Sequence, residues 1–229
     1  MVFKNNVDAM AEVGAGYKWL FNWIKPSLNR KRVLNVGCWT GVLEKLLIKS
    51  NCTVTGIDIE ENALRAAQKE FPRYKFVKAS VVEPLPFKKS HFDVVLFFMT
   101  IEHLPKGTEM IALKQLNKVL KKSGILYLST MNSNLLSKLC DPVYFFGHRH
   151  YSLKHLETML AKSGFTTQEK FTHGGVGIIV YTYLFYFYKH ILRKTFYSNI
   201  IDKWMSQEYK KRNGFLEVKI KAQKVRDVA

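Results

Sequence analysis

Cysteine is scarce in this chain and carries no pattern. Cys38, Cys52 and Cys140 are odd in number and lack the paired spacing of a metal site. That excludes a disulfide framework and leaves reduced thiols in a cytoplasmic protein as the simplest reading. A signal peptide is also missing, because Met1-Val2-Phe3-Lys4-Asn5-Asn6 opens no apolar core of sufficient length. No internal repeat or low-complexity segment is present. No clean membrane-spanning run is present either, although residues 171–188 come nearest. Acidic residues are few: 18 Asp and Glu stand against 36 Lys and Arg, a formal charge of +18. Such an imbalance points either to an anionic partner (nucleic acid, acidic lipid headgroups or an anionic glycan) or to a lysine-rich solvated surface. With 229 residues, 47% of them apolar, the chain is long enough for one domain with a substantial core.

The chain is organised around residues 33–58. Val33-Leu34-Asn35-Val36 reads as a short buried strand, and Gly37 and Gly41 bracket a tight turn around Cys38, Trp39 and Thr40. A helix is expected over 42–49, and a second strand over 52–57 ends on Asp58. Strand, glycine turn, helix, strand and acid together make the layout of a nucleotide site. Glycines let the backbone approach a ligand, and a strand-end carboxylate can accept hydrogen bonds from two ribose hydroxyls. The spacing departs from the dinucleotide pattern G-x-G-x-x-G, since Trp39 stands between Gly37 and Gly41.

Flanking this unit, the periodicity predicts helices over 8–25, 60–71, 108–122 and 152–163. Strands are expected over 74–78, 92–98, 125–129 and 165–172, that at 92–98 being almost wholly apolar and therefore central. Strands alternating with helices argue a parallel sheet covered on both faces.

Several blocks in this order resemble the class I S-adenosylmethionine (SAM) methyltransferases, in particular the quinone and small-molecule subgroup. They are the Val33–Gly41 turn, Val54-Thr55-Gly56-Ile57-Asp58, Pro84-Leu85-Pro86-Phe87 followed by Phe92-Asp93-Val94-Val95, the Ile101-Glu102-His103-Leu104 turn, and the 116–126 helix-to-strand block. The resemblance covers residues 10–172 and returns near 215–224. It implies a Rossmann-like, doubly wound α/β sheet of seven strands, mostly parallel with an antiparallel last strand. It also implies SAM as cofactor. One methyltransferase domain over 1–229 is expected, comprising an N-terminal helical cap (1–30), a SAM-binding core (31–172), an apolar and basic helical insertion (173–213) and a last strand with tail (214–229).

The same resemblance assigns cofactor contacts to Asn35, Gly37, Cys38, Gly41, Asp58, Ile59, Ser80, Val81, Phe97 and Thr100. Asn35 replaces an acid usual in the family, Trp39 its middle glycine, and Ser80 an acid that many members place beside the adenine. Asn35 and Ser80 still hydrogen-bond, without charge. His103 is the candidate catalytic base for an oxygen acceptor, because imidazole titrates in the right range; the other reading is a turn histidine bonded to backbone. No metal is assigned. His148, His150 and His155 superficially resemble a metal cluster, but the His148-Arg149-His150-Tyr151 stretch resembles one that lines the acceptor side in the family, and Asp141-Pro142-Val143-Tyr144 resembles a D-P-P-Y motif but lies one strand too late.

The expected reaction is methyl transfer to an oxygen of a small-molecule, lipid-linked or glycan acceptor. RNA methylation and a non-catalytic SAM-fold binding protein are the alternatives. Residues 176–212, aromatic and then basic, are expected either to lie peripherally on an anionic membrane surface or to form a lid.

Overall fold

The structure is a computed structural model that describes residues 15–141, 144, 147–194 and 196–228. The first half of the helix expected at 8–25, with Met10 and Val13, lies outside the described residues. Its second half is α1 (Ala15–Ile24). There follow β1 (Arg32–Val36), α2 (Glu44–Leu47), β2 (Thr53–Asp58), α3 (Glu61–Glu70), β3 (Lys75–Lys78) and β4 (Phe92–Phe98). The second half comprises α4 (Glu109–Val119), β5 (Leu120–Met131), α5 (Leu135–Cys140), α6 (Leu153–Lys162), β6 (Phe165–His173), α7 (Val176–Phe187), α8 (Asn199–Lys210) and β7 (Glu217–Lys224).

All seven strands form one sheet in the order β3-β2-β1-β4-β5-β7-β6. The first five in this order run parallel, and β7 pairs antiparallel with both β5 and β6. Successive side chains of a strand face opposite sides, and the core divides accordingly. Leu34, Val36, Val95 and Phe97 join one buried cluster with Leu113 and Leu116 of α4 and Leu156 and Leu160 of α6. Val33, Val94 and Leu96 join a second cluster with Phe21 and Ile24 of α1. Burial on both faces explains why β4 lacks polar alternation.

Two expected helices are shorter than their periodicity suggested. The helix at 42–49 keeps a single turn, α2. The helix at 108–122 stops at Val119, because β5 starts at Leu120 without a loop. Side chains from elsewhere in the chain fix that switch. Buried Lys224 donates to the carbonyls of Asn117 and Leu120 at 2.7 and 2.8 Å, and Lys121 pairs with Asp93 at 2.6 Å.

The insertion is a helical pair. Glu208 of α8 accepts from the backbone N–H of Gly177 at 2.8 Å and of Ile178 at 3.4 Å, capping the start of α7. Trp19 of α1 meets His173 and Tyr209 at ring-centroid distances of 4.0 and 6.4 Å, tying the pair to α1 and β6. Much of α7–α8 and of the link between them stays apolar and exposed, including Phe187, Ile191, Tyr197 and Ile200. Among the described residues no helix is long and apolar enough to cross a membrane.

Candidate functional site

The parallel strands end together on one edge, where an open α/β sheet places its ligand crevice. Thr100, just past β4, donates to the carbonyls of Phe98 at 2.8 Å and Val36 at 3.2 Å, pinning β4 to β1. A Cβ on Gly37 would sit 2.3 Å from the Thr100 hydroxyl, and φ there is +73°, so only glycine fits. Gly37 and Cys38 both donate to the carbonyl of Ile57, at 2.8 and 3.1 Å.

This packing aims Asp58. Its Oδ2 accepts from the Trp39 N–H at 2.9 Å and its Oδ1 from the Glu60 N–H at 3.0 Å. Backbone thus holds both oxygens, and each keeps lone-pair capacity for a ligand. Trp39 reaches this position with φ +50°, and Met99 across the cleft has φ +45°. Left-handed backbone is costly for side chains of that size and is a feature that clusters at ligand sites.

The cleft is a cavity of about 530 Å³, within the usual range for small-molecule sites. Of the residues anticipated from the sequence, Gly37, Asp58, Ile59, Ser80, Val81, Thr100 and His103 line it. Four others lie outside that lining. Phe97 is fully buried in the α4-side core. Gly41 closes on the Phe71 ring, and the Cys38 thiol packs under Gly56; burial, with Glu44 and Asp58 nearby, raises that thiol's pKa. Asn35 donates to Glu44 at 2.8 Å, and burial pushes the Glu44 carboxyl up to about 7. The lining also includes Val36, Ile57, Ala79, Val82, Met99 and Leu104. Proximity to a strand's C-terminal end is the signal that could have found them.

A nucleoside cofactor fits these residues. The acid is preset by backbone, the walls are mainly apolar, the turn tolerates no Cβ, and Ser80 offers a neutral hydroxyl.

Side chains build the far end of the cleft. Residues Ile101–His103 form a 3-10 turn, which Arg149 staples by donating to the carbonyls of Ile101, Glu102 and Leu104 and to Glu109. Glu102 turns inward, only 2% exposed. Its Oε2 accepts from Thr130 at 2.9 Å, and burial pushes it up to about 8. His103 faces the cavity, its ring centroid 4.7 Å from that of His148. Burial, then His148 and Arg149, lower the His103 pKa, while Asp141 opposes them. His148 Nδ1 and His150 Nε2 both donate to Asp141 Oδ2, at 2.6 and 2.9 Å. His155 instead stacks on Tyr151 at 6.3 Å.

A seven-stranded sheet of this order, with a glycine-turn cleft at its strand ends, defines the class I methyltransferase fold. Residues 33–124 match the family described as "Methyltransferase domain". A probable SAM-dependent methyltransferase of Mycobacterium tuberculosis is 29% identical over 147 residues, 64% of this chain and 53% of that protein. The ubiquinone biosynthesis O-methyltransferase of Pseudomonas entomophila is 34% identical over 122 residues, 49% of this chain and 50% of that protein. The chain spans about half the length of these relatives. Among solved structures, a SAM-dependent methyltransferase of Archaeoglobus fulgidus shares the fold with a TM-score of 0.64 at 19% identity, over 91% of this chain and 93% of that one. The likeness to SAM-dependent methyltransferases thus lies in the sequence of residues 33–124 and in the fold.

Proposed function

We propose that the protein transfers a methyl group to an oxygen of an apolar or lipid-linked small molecule presented at an anionic membrane surface. The backbone-held Asp58 at the mouth of the apolar cleft carries the cofactor half of this reading. When bound, SAM supplies an electrophilic methyl group on a sulfonium. Asp58 would accept from the ribose hydroxyls, Ser80 would serve the adenine edge, and Gly37 would let backbone come close. Leu104, beside His103 in the cleft wall, keeps water from the reacting end. His103 marks the end of the cleft where the acceptor aligns and gives up its proton.

Exposed apolar surface supports the acceptor half. Leu135, Leu136 and Leu139 of α5 are solvent-exposed. The Tyr183 hydroxyl of α7 donates to the Leu139 carbonyl at 3.4 Å, joining this patch to α7. Ser137 of the same helix contacts His150 at 3.3 Å, so the patch borders the His103 end. Lys138, Lys189, Arg193 and Lys194 flank it in sequence, the combination suited to an anionic interface. The small-molecule acceptor of the ubiquinone O-methyltransferase relatives agrees with this reading.

The test is methyl-labelled SAM incubated with a cell extract and resolved into lipid, RNA and soluble fractions. Label is expected in lipid; label in RNA would replace this reading with the nucleic-acid one. Asp58→Ala should weaken SAM binding by about 10- to 100-fold, measured by calorimetry, because a charged acceptor of two hydroxyls contributes about 1.5–3 kcal/mol. Unchanged affinity would remove Asp58 from the cofactor site.

A further inference from the structure

We propose that Glu102, His103 and His148 form a binding site for a borderline divalent cation of the zinc and cobalt class, open to the cleft. One donor atom from each of the three lies within 4.8 Å of one from each of the others. Two of these side chains are buried and incompletely partnered. Glu102 is 2% exposed, and its Oε1 has no hydrogen-bond partner among the described residues. The His148 side chain is 9% exposed, and its Nε2 is likewise without a partner. A buried polar atom left bare costs about 1–3 kcal/mol, so two such atoms on side chains of one cluster call for a ligand. Two imidazoles and a carboxylate suit a borderline transition metal better than calcium or magnesium.

The surroundings are those of a metal centre. Asp141 holds His148 through Nδ1, which aims the bare Nε2, and Thr130 holds the other oxygen of Glu102. Asp141, His148 and His150 also lie within 4.8 Å of one another. Their contacts of 2.6 and 2.9 Å to one oxygen are hydrogen bonds. Two ligands of one ion stand about 3 Å or more apart, given metal–ligand bonds of about 2.0–2.1 Å. That trio is therefore the supporting layer, and Glu102, His103 and His148 are the site.

His103 lines the cleft, so the ion's open position meets the acceptor. What the ion does there rests on the methyltransferase reading. It lowers the pKa of the acceptor hydroxyl, whose proton passes to solvent. The oxygen then bonds to the methyl carbon as the carbon–sulfur bond of SAM breaks, releasing a neutral thioether.

Cation binding is tested apart from turnover. Untagged, chelator-stripped protein is titrated with Zn²⁺ by calorimetry and with Co²⁺ by visible spectroscopy. One ion per chain is expected, with the Co²⁺ bands of nitrogen and oxygen coordination. Glu102→Gln keeps the shape and the Thr130 bond and should weaken binding at least about 100-fold, as should His148→Ala. SAM affinity and thermal melting of each variant report whether the fold is intact. Absence of one-to-one binding, or equal binding by a folded Glu102→Gln protein, overturns the site, while intact SAM binding leaves the methyltransferase reading standing.

Discussion

The two ends of the cleft are built differently. At the Asp58 end, backbone N–H groups and a glycine set the geometry at the ends of β1, β2 and β4, and the controlling residues are at most 63 positions apart (Gly37 to Thr100). At the His103 end, Glu102, Thr130, Asp141 and His148 come from separate loops and strands, and side chains hold one another. An end preset by backbone tolerates surface change but no change of turn. An end made of coupled side chains can be retuned by single substitutions. The predictions below probe that difference, from the largest effect to the smallest.

Glu44 tests whether the first end is free of buried titration. Its carboxyl is raised by burial from 4.5 to about 7. A raised carboxyl contributes stability that is full below pH 4.5 and lost as pH climbs through 7, about 3 kcal/mol over the window. His173 works in the opposite sense. Burial, Lys219 and Arg212 push it down to about 4, so its contribution is present above 6.5 and lost on acidification. The two oppose each other between pH 4.5 and 6.5, so the readout is the difference between wild type and Glu44→Gln in urea melts. The variant should gain on the wild type by up to about 3 kcal/mol between pH 4.5 and 8; a constant difference would refute the assignment.

Arg149→Met should cost about 2 kcal/mol, because it strips three turn carbonyls and leaves Glu109 without its cation, with only the Tyr151 hydroxyl as a side-chain donor among the described residues. Turnover should fall at least tenfold while SAM affinity stays within about twofold. Equal losses in both would mean that the two ends are not separable. Trp39→Gly should raise stability by about 1 kcal/mol in thermal melts, since glycine accepts φ +50° without the side-chain clash. A loss instead would show that the Trp39 ring contributes more than its backbone costs.

Legibility in the sequence follows the same division. The glycine turn, the acid ending β2 and the apolar β4 could be read because local spacing encodes them. Phe97 and Asn35 were placed at the cleft by family analogy, yet Phe97 enters the α4-side core and Asn35 turns to buried Glu44. The helix end at Val119 depends on Lys224, more than a hundred positions away, which no window of residues reveals. His148, His150 and His155 were grouped by spacing, whereas the structure joins His148 to Glu102 and His103, 46 and 45 positions upstream.

The pairing of β7 also dictates an order of assembly. Among the described residues its neighbours in the sheet are β5 and β6, and β6 lies at the edge with β7 as its strand partner. As the chain leaves the ribosome, β1 to β5 can zip together with their helices, but β6 must wait as an unpaired edge until residues 217–224 emerge. Through that interval the α7–α8 segment, rich in exposed aromatics, lies between a finished half-sheet and a strand not yet made. Such long-range closure is slow and exposes sticky surface. Binding of the nascent aromatic segment to a lipid or chaperone surface would therefore protect the protein before it ever meets a substrate.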